Sequence, residues 1–212
     1  MSSARFERFS SWKRLLEAIT KLIQVTRIFS KTHKVDAVDA RWQAKSVVIG
    51  SVQRESYAEE LNCLRNGIQI SKKSLLRKLN PFIDEDGLLQ IRGRFTNADL
   101  LRDEKHPVIL PKSHHIATLI VRHYHEDVFH QGRPFTEGAV RLAGVWIVRG
   151  KQLVSSVLYN CVTCKKRRGR LMEQKMAPLP ADRLTSEPPF TQVGLDIFGP
   201  WNIVTRRTRG GK

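Results

Sequence analysis

Between residues 9 and 29 the apolar side chains Phe9, Trp12, Leu15, Leu16, Ile19, Leu22 and Ile23 recur at three- and four-residue steps, with Lys13, Arg14, Glu17 and Lys21 between them. That spacing predicts an amphipathic helix, with Ser10 or Ser11 placed to cap it. Its apolar stripe is wide, so it needs a partner: the next helix, or a domain outside this sequence. A second helical pattern spans about residues 38–64 and carries Trp42, Val48, Ile49, Val52, Tyr57, Leu61 and Leu64. Gly50 and Ser51 weaken its middle, so it is read as one helix or two. Cys63, with no Cys or His close to it in sequence, reads as a packing residue rather than a reactive thiol.

Pro81 ends the next, basic segment. Phe82 and Ile83, the turn Asp84-Glu85-Asp86-Gly87, and Leu88 to Ile91 then predict a β-hairpin. Val108-Ile109-Leu110, flanked by Pro107 and Pro111, predicts a third short strand, placed at a sheet edge because proline cannot donate to a ladder. Helical patterning returns with Ile116, Leu119, Ile120 and Tyr124, then over residues 135–142 and 153–158. Three helices this short make a bundle too small to be stable on hydrophobic burial alone. From residue 165 onward Lys165, Lys166, Arg167, Arg168 and Arg170 are followed by Pro178, Pro180, Pro188 and Pro189, a linker composition. Residues 193–201 read as one strand opening a new domain. No internal repeat is visible.

Charge changes the picture from fold to partner. Among 212 residues there are 37 Lys plus Arg against 20 Asp plus Glu, a formal net charge of +17. Such an excess points to a polyanion such as nucleic acid, against the alternative of a soluble basic protein with no special affinity. Three cysteines, two of them a C-x-x-C pair, cannot make a disulfide framework and suit a metal or redox role in a reducing compartment. No stretch approaches the ~20 apolar residues of a membrane span. The start, Met1-Ser2-Ser3-Ala4-Arg5, lacks the apolar run of a signal peptide. An intracellular location is expected, with the nucleus compatible with the basic runs.

The candidate chemistry lies in two pairs. His125 and His130 are four residues apart in the intervening count, Cys161 and Cys164 two, with thirty residues between the pairs. Zinc favours four nitrogen and sulfur ligands in a tetrahedron, and two close pairs brought together by folding satisfy it. The residues between them, including Val140, Leu142, Val145, Trp146, Ile147 and Val148, are expected to build the bundle that the metal staples. A thioredoxin-like redox pair is the rival for the cysteines, but no βαβ pattern precedes them. A finger with cysteines before histidines has the opposite order. His123 rivals His125 as first ligand, although it shares the apolar face of Ile116, Leu119 and Ile120. His106, His114 and His115 read as surface or packing residues.

These motifs resemble a known family. His125-x4-His130-Gln131-Gly132, Arg141-Leu142, Val145-Trp146-Ile147 and Cys161-x2-Cys164 are similar to the H2C2 zinc-binding domain of retroviral and LTR-retrotransposon integrases. Leu79-Asn80-Pro81-Phe82-Ile83-Asp84, Gly87-Leu88-Leu89, Gly93-Arg94-Phe95 and His106-Pro107-Val108-Ile109-Leu110-Pro111-Lys112 resemble the lead-in to integrase in BEL/Pao-type polyproteins. Met176-Ala177-Pro178-Leu179-Pro180, Pro189-Phe190 and Gly194-Leu195-Asp196-Ile197-Phe198-Gly199-Pro200 are similar to the family's linker and first core strand. The resemblance covers residues 75–201 well and 9–74 more loosely. It implies an RNase H-like catalytic core in which three carboxylates hold two Mg²⁺ ions. Asp196 matches the first carboxylate, and no residue after it is Asp or Glu.

The expected fold is therefore α+β, mainly α. Residues 1–74 form a helical connector, 75–112 a short antiparallel sheet, 113–170 the zinc-stapled three-helix bundle, 171–192 a linker and 193–212 the truncated start of the RNase H-like core. The expected function is structural Zn²⁺ binding by His125, His130, Cys161 and Cys164, with nucleic acid, duplex DNA foremost, bound by Lys165, Lys166, Arg167, Arg168 and Arg170. Catalysis is not expected with Asp196 as the single acid of the triad, and Mg²⁺ belongs to the complete parent enzyme. No membrane partner is expected. A protein-interaction or self-association module using Trp12, Leu15, Ile19 and Leu22, or binding other integrase chains, is the first alternative. An active integrase drawing its missing carboxylates from a second chain is the other.

Overall fold

The structure is a computed structural model that describes residues 3–29, 36–92, 102–169, 175–181, 184, 186–191 and 193–196. Its first long helix, α1 (Trp12–Phe29), starts after Ser11, whose carbonyl accepts the Leu15 N–H at 3.1 Å. The partner its stripe requires is α2 (Ala37–Ser56): Trp12, Leu15 and Leu16 are buried in one core with Ala44, Val48, Ile49 and Val52. Trp12 and Leu15 thus serve the chain's own core, and Ile19 packs on it, while Leu22 is exposed.

Residues 38–64 do form two helices, but the break falls at Tyr57, before α3 (Ala58–Arg65), and not at Gly50. A Cβ on Gly50 would stand 3.2 Å from Leu88 Cδ2, so the glycine lets α2 run close to the residue that leads into the sheet. That close packing outweighs the ~1 kcal/mol a helical glycine costs.

Among the described residues four strands make one sheet in the order β1 (Pro81–Ile83), β2 (Leu89–Ile91), β3 (Val108–Pro111) and β4 (Val145–Val148). The β1–β2 hairpin is the one the sequence predicts, closed by the Asp84 carboxylate, which accepts the Asp86 and Leu88 N–H groups. Two expectations are corrected. Strand β3 is interior, antiparallel to β2 and parallel to β4, so the sheet is mixed rather than antiparallel. The flanking prolines permit this because they sit at the strand's ends: Pro111 is the last residue of β3, opposite Val148, and Pro107, just before the strand, accepts the Ile91 N–H through its carbonyl at 3.1 Å. Residues 145–148 are a strand, not part of a helical bundle; a four-residue apolar run is compatible with either, and pairing with β3 decides it.

Between β3 and β4 the chain makes the crossover that parallel strands need, through α5 (His115–Asp127) and α6 (Arg133–Leu142). A short α4 (Arg102–Lys105) precedes β3, and α7 (Gly150–Asn160) and α8 (Val162–Arg167) follow β4. Val108, Leu110, Val145 and Ile147 point to the core shared by α1, α2, α5, α6 and α7. Leu89, Ile91 and Ile109 point to a second cluster with Leu61 and Leu76. Mainly α with a small four-stranded sheet is the observed class. The changes of element type near residues 74 and 112 do not separate cores, since residues 1–169 form one unit and 170–212 another. In the second unit the described residues hold no helix or strand; Val193 to Asp196 are exposed and unpaired to any sheet, and residues 197–201 of the expected strand lie outside the described residues. The basic run expected to open a linker is helical through Arg167. Among the described residues no helix is long and apolar enough to cross a membrane.

Two of the histidines read as packing residues make specific bonds that fix α5. His114 caps it, its Nδ1 accepting the Ile116 N–H at 3.1 Å, and the His115 Nε2–H donates to the Phe9 carbonyl at 2.7 Å. His106 Nδ1–H donates to the Ile91 carbonyl at 3.2 Å.

The seam between β2 and β3 has a single paired position, Gln90 with Val108. The next rung is supplied by a side chain: Gln53 of α2, 1% exposed, donates to the Leu89 carbonyl at 2.8 Å and the Ile109 carbonyl at 2.9 Å. It also accepts the Leu89 N–H at 2.8 Å. Replacing it with methionine keeps the volume but strips three buried backbone groups of a partner, at a cost of about 3 kcal/mol. Urea unfolding of Gln53→Met should show that loss; a change below about 1 kcal/mol would mean the seam closes without the amide.

Candidate metal centre

The last turn of α5 carries His125, which is 2% exposed. Immediately after the helix Phe129 and His130 both take left-handed backbone, φ 52° and 61°, and the chain folds back so that the His130 N–H bonds to the His125 carbonyl at 3.0 Å. This reversal sets the two imidazoles edge to face, with ring centres 4.5 Å apart at 88°. Left-handed conformations at bulky residues are strained, so the surroundings must hold them. Gly132, φ 99°, and Pro134 in the first turn of α6 then start the next helix.

The cysteines arrive from the other side of β4. Cys161 is extended and serves as the cap residue between α7 and α8, its carbonyl accepting the Lys165 N–H at 2.9 Å. One helical turn later Cys164 is buried, so both sulfurs face the histidines. His125 Nε2 lies 2.9 Å from His130 Nδ1 and 3.2 Å from Cys164 Sγ. His130 Nδ1 is 3.3 Å from Cys161 Sγ and 3.7 Å from Cys164 Sγ. All four ligand atoms fall within 4.8 Å of one another. With metal–nitrogen bonds of about 2.0 Å and metal–sulfur bonds of about 2.3 Å, the edges of a tetrahedron are roughly 3.3–3.8 Å, close to these separations. The four side chains are thus positioned to hold a metal ion. His123 is not among them: its ring leans on Tyr124, 5.0 Å away, which removes it as rival to His125.

Thr136 of α6, fully buried, orients the first ligand. Its hydroxyl donates to the Gly132 carbonyl at 2.8 Å, so the His125 Nδ1–H, 3.2 Å away, donates to its lone pair. That leaves the Nε2 lone pair facing the cluster, the tautomer a metal needs. No sequence signal marks this threonine.

Electrostatics favour a cation at the centre. Burial, then the charge of His130, holds His125 below its ordinary value, with Glu126 opposing. Burial raises both thiols, yet hydrogen bonds from the backbone and side chains of Cys164 and Thr163 bring Cys161 down, while its proximity adds to the rise at Cys164. A divalent ion would bind both as thiolates and release the protons they carry. His130 and Cys161 are half-exposed and line a cleft of about 550 Å³ with Arg122 and Asn160, which leaves the cluster open on that side.

The basic candidates are exposed around the cluster. The Arg167 guanidinium donates to the Phe129 carbonyl at 3.2 Å, across to the strained turn. Arg168 donates to the Cys164 and Leu158 carbonyls at 3.1 and 3.0 Å, tying α8 to the end of α7. Lys165 lies 5.8 Å from the Tyr159 ring centre, Lys166 is exposed, and Arg170 lies outside the described residues. Asp196 is exposed, belongs to the second unit and is not part of the cluster. Compared with known proteins, the chain matches no family model, no curated protein and no solved structure.

Thr136→Val removes no ligand but loses the acceptor that fixes the His125 tautomer. Zinc affinity, measured by competition with a chromophoric chelator, should fall roughly 10- to 100-fold; an unchanged affinity would deny Thr136 this role. Acid should act through the same ring. Because His125 sits below its ordinary 6.5 in the fold, the unfolded chain takes up a proton that the folded chain refuses. The resulting stability is complete above 6.5 and is lost as pH falls below it, and proton competition with a bound metal has the same sign. Thermal midpoints should hold steady from about pH 8 to 7 and decline on further acidification; a flat profile down to about pH 5 would contradict this.

Proposed function

We propose that this chain is a zinc-stabilised nucleic-acid-binding module of the H2C2 kind carried by LTR-retrotransposon integrases. The observation that carries the reading is the convergence of two imidazoles and two thiols on one point. Two sulfur and two nitrogen donors in a tetrahedron suit zinc above the harder ions, and four protein ligands leave no open position, so the role is structural. Structural zinc contributes roughly 10–16 kcal/mol in small finger peptides, comparable with the ~5–15 kcal/mol stability of a whole domain. The ion would fasten the strained turn after α5 to the α7–α8 junction.

Nucleic acid is the proposed partner because Lys165, Lys166, Arg167 and Arg168 directly follow the last ligand on an exposed helix, in a chain of net charge +17. Under the integrase reading Asp196 would be the first carboxylate of a two-metal RNase H-like core, and no reaction is assigned to the residues present. An intracellular setting, the nucleus included, fits a thiolate site and a nucleic-acid ligand. The protein-docking alternative draws less support, because Trp12 and Leu15 are spent in the chain's own core.

Elemental analysis should find about one zinc per chain, and exhaustive chelation should abolish much of the helical circular dichroism. Affinity for duplex DNA should fall steeply with salt, by roughly 0.9 log units per decade for each neutralised phosphate. Protein without zinc that keeps its helicity under chelation would refute the metal reading, and absence of DNA binding at low ionic strength the partner reading.

A further inference from the structure

We propose that α8, together with Tyr159 and Phe129, forms a stacking surface for unpaired nucleobases, so that the preferred ligand is a single strand rather than a duplex. The proposal rests on the nucleic-acid reading above and specifies what that surface recognises.

Two aromatic rings stand out into solvent beside the cations: Phe129 is 75% exposed and Tyr159 67%. Both are tied to α8. Arg167 holds the Phe129 carbonyl at 3.2 Å, and the charges of Lys165 and Arg168 lie 5.8 and 6.0 Å from the Tyr159 ring centre. Arg167 and Arg168 are adjacent, so the Phe129 carbonyl and the Tyr159 ring both meet the C-terminal end of α8. Glu126 and Asp127, at the end of α5, are the acids that precede Phe129 in sequence. From Gly138 to Met172 the sequence holds no acid and eight cations, Arg141, Arg149, Lys151, Lys165, Lys166, Arg167, Arg168 and Arg170.

Folding alone does not account for Phe129. Its backbone is left-handed, a conformation that glycine or asparagine adopts at less cost, and its side chain contributes nothing to either core. A bulky ring kept outward at a strained position is free to act on a ligand. In a duplex the base faces are stacked and hidden, and phosphates gain nothing from an aromatic ring. An unpaired base offers a π-face to any exposed ring, and cations alongside follow its backbone. A helix of six residues, moreover, is short for filling a major groove.

Fluorescence anisotropy of the full chain with a labelled oligo-dT strand, and with the same strand annealed to oligo-dA, tests this at low ionic strength. Oligo-dT should bind about tenfold more tightly than the duplex, and Tyr159→Ala should lose roughly tenfold on the single strand while leaving duplex affinity, zinc content and thermal midpoint unchanged. Tyr159→Trp should retain binding. Phe129→Asn, which suits the left-handed backbone, should give a similar single-strand loss and reports independently of α7. Duplex affinity equal to or above that of the single strand, with both ring variants indifferent, would overturn the inference and leave the nucleic-acid reading standing. If neither oligonucleotide binds, both fall.

Discussion

The chain reversal after α5 is the constraint on which the site depends. His125 is presented by a regular helix, but His130 reaches the same point only because Phe129 and His130 adopt backbone that bulky residues avoid. Strain of this kind persists only when several contacts enforce it. Here the His130 N–H returns to the His125 carbonyl, Thr136 holds the His125 ring from behind, and Arg167 grips the Phe129 carbonyl from α8. Each tie comes from a different element, so the turn reads out whether α5, α6 and α8 are all in place.

The cations of α8 therefore have two duties. Lys165, Lys166 and Arg167 lie in the last turn of a helix, where positive charge complements the partial negative charge of its free carbonyls. Arg167 in addition bonds to the Phe129 carbonyl, and Arg168 to the Cys164 and Leu158 carbonyls, which it shares with the Arg168 and Cys161 N–H groups. Their charge is not consumed by this, because a guanidinium has five N–H donors and stays ionised. The surface proposed to bind phosphate and the brace that holds the α5 turn are built from the same residues, which makes simple loss-of-charge substitutions ambiguous and gives the exposed rings their value as probes.

Much of the site was legible because its signal is local. Two ligand pairs with short internal spacings are visible in any reading of the chain, and the helix periodicity of α1 and the turn chemistry of the β1–β2 hairpin are equally self-contained. What stayed hidden depends on tertiary partners. Val145-Trp146-Ile147-Val148 has the same composition whether helical or extended, and only β3 lying alongside makes it a strand. Gly50 looks like a helix weakness until Leu88 is seen against it. Gln53 and Thr136 are ordinary polar residues on helices in sequence, and their importance lies wholly in which buried groups they meet. The four side chains that converge were therefore available from spacing, while the means of holding them in place was not.

Strand β4 lies in sequence between the two halves of the cluster, with the histidines ahead of it and the cysteines behind. A chain emerging from the ribosome therefore exposes its imidazoles well before their thiol counterparts exist. The parallel ladder of β4 with β3 joins the crossover that bears the imidazoles to the segment that bears the sulfurs. Strand pairing thus sets where both halves of the cluster leave the sheet, and a substitution in that ladder bears on the geometry of side chains that lie outside it.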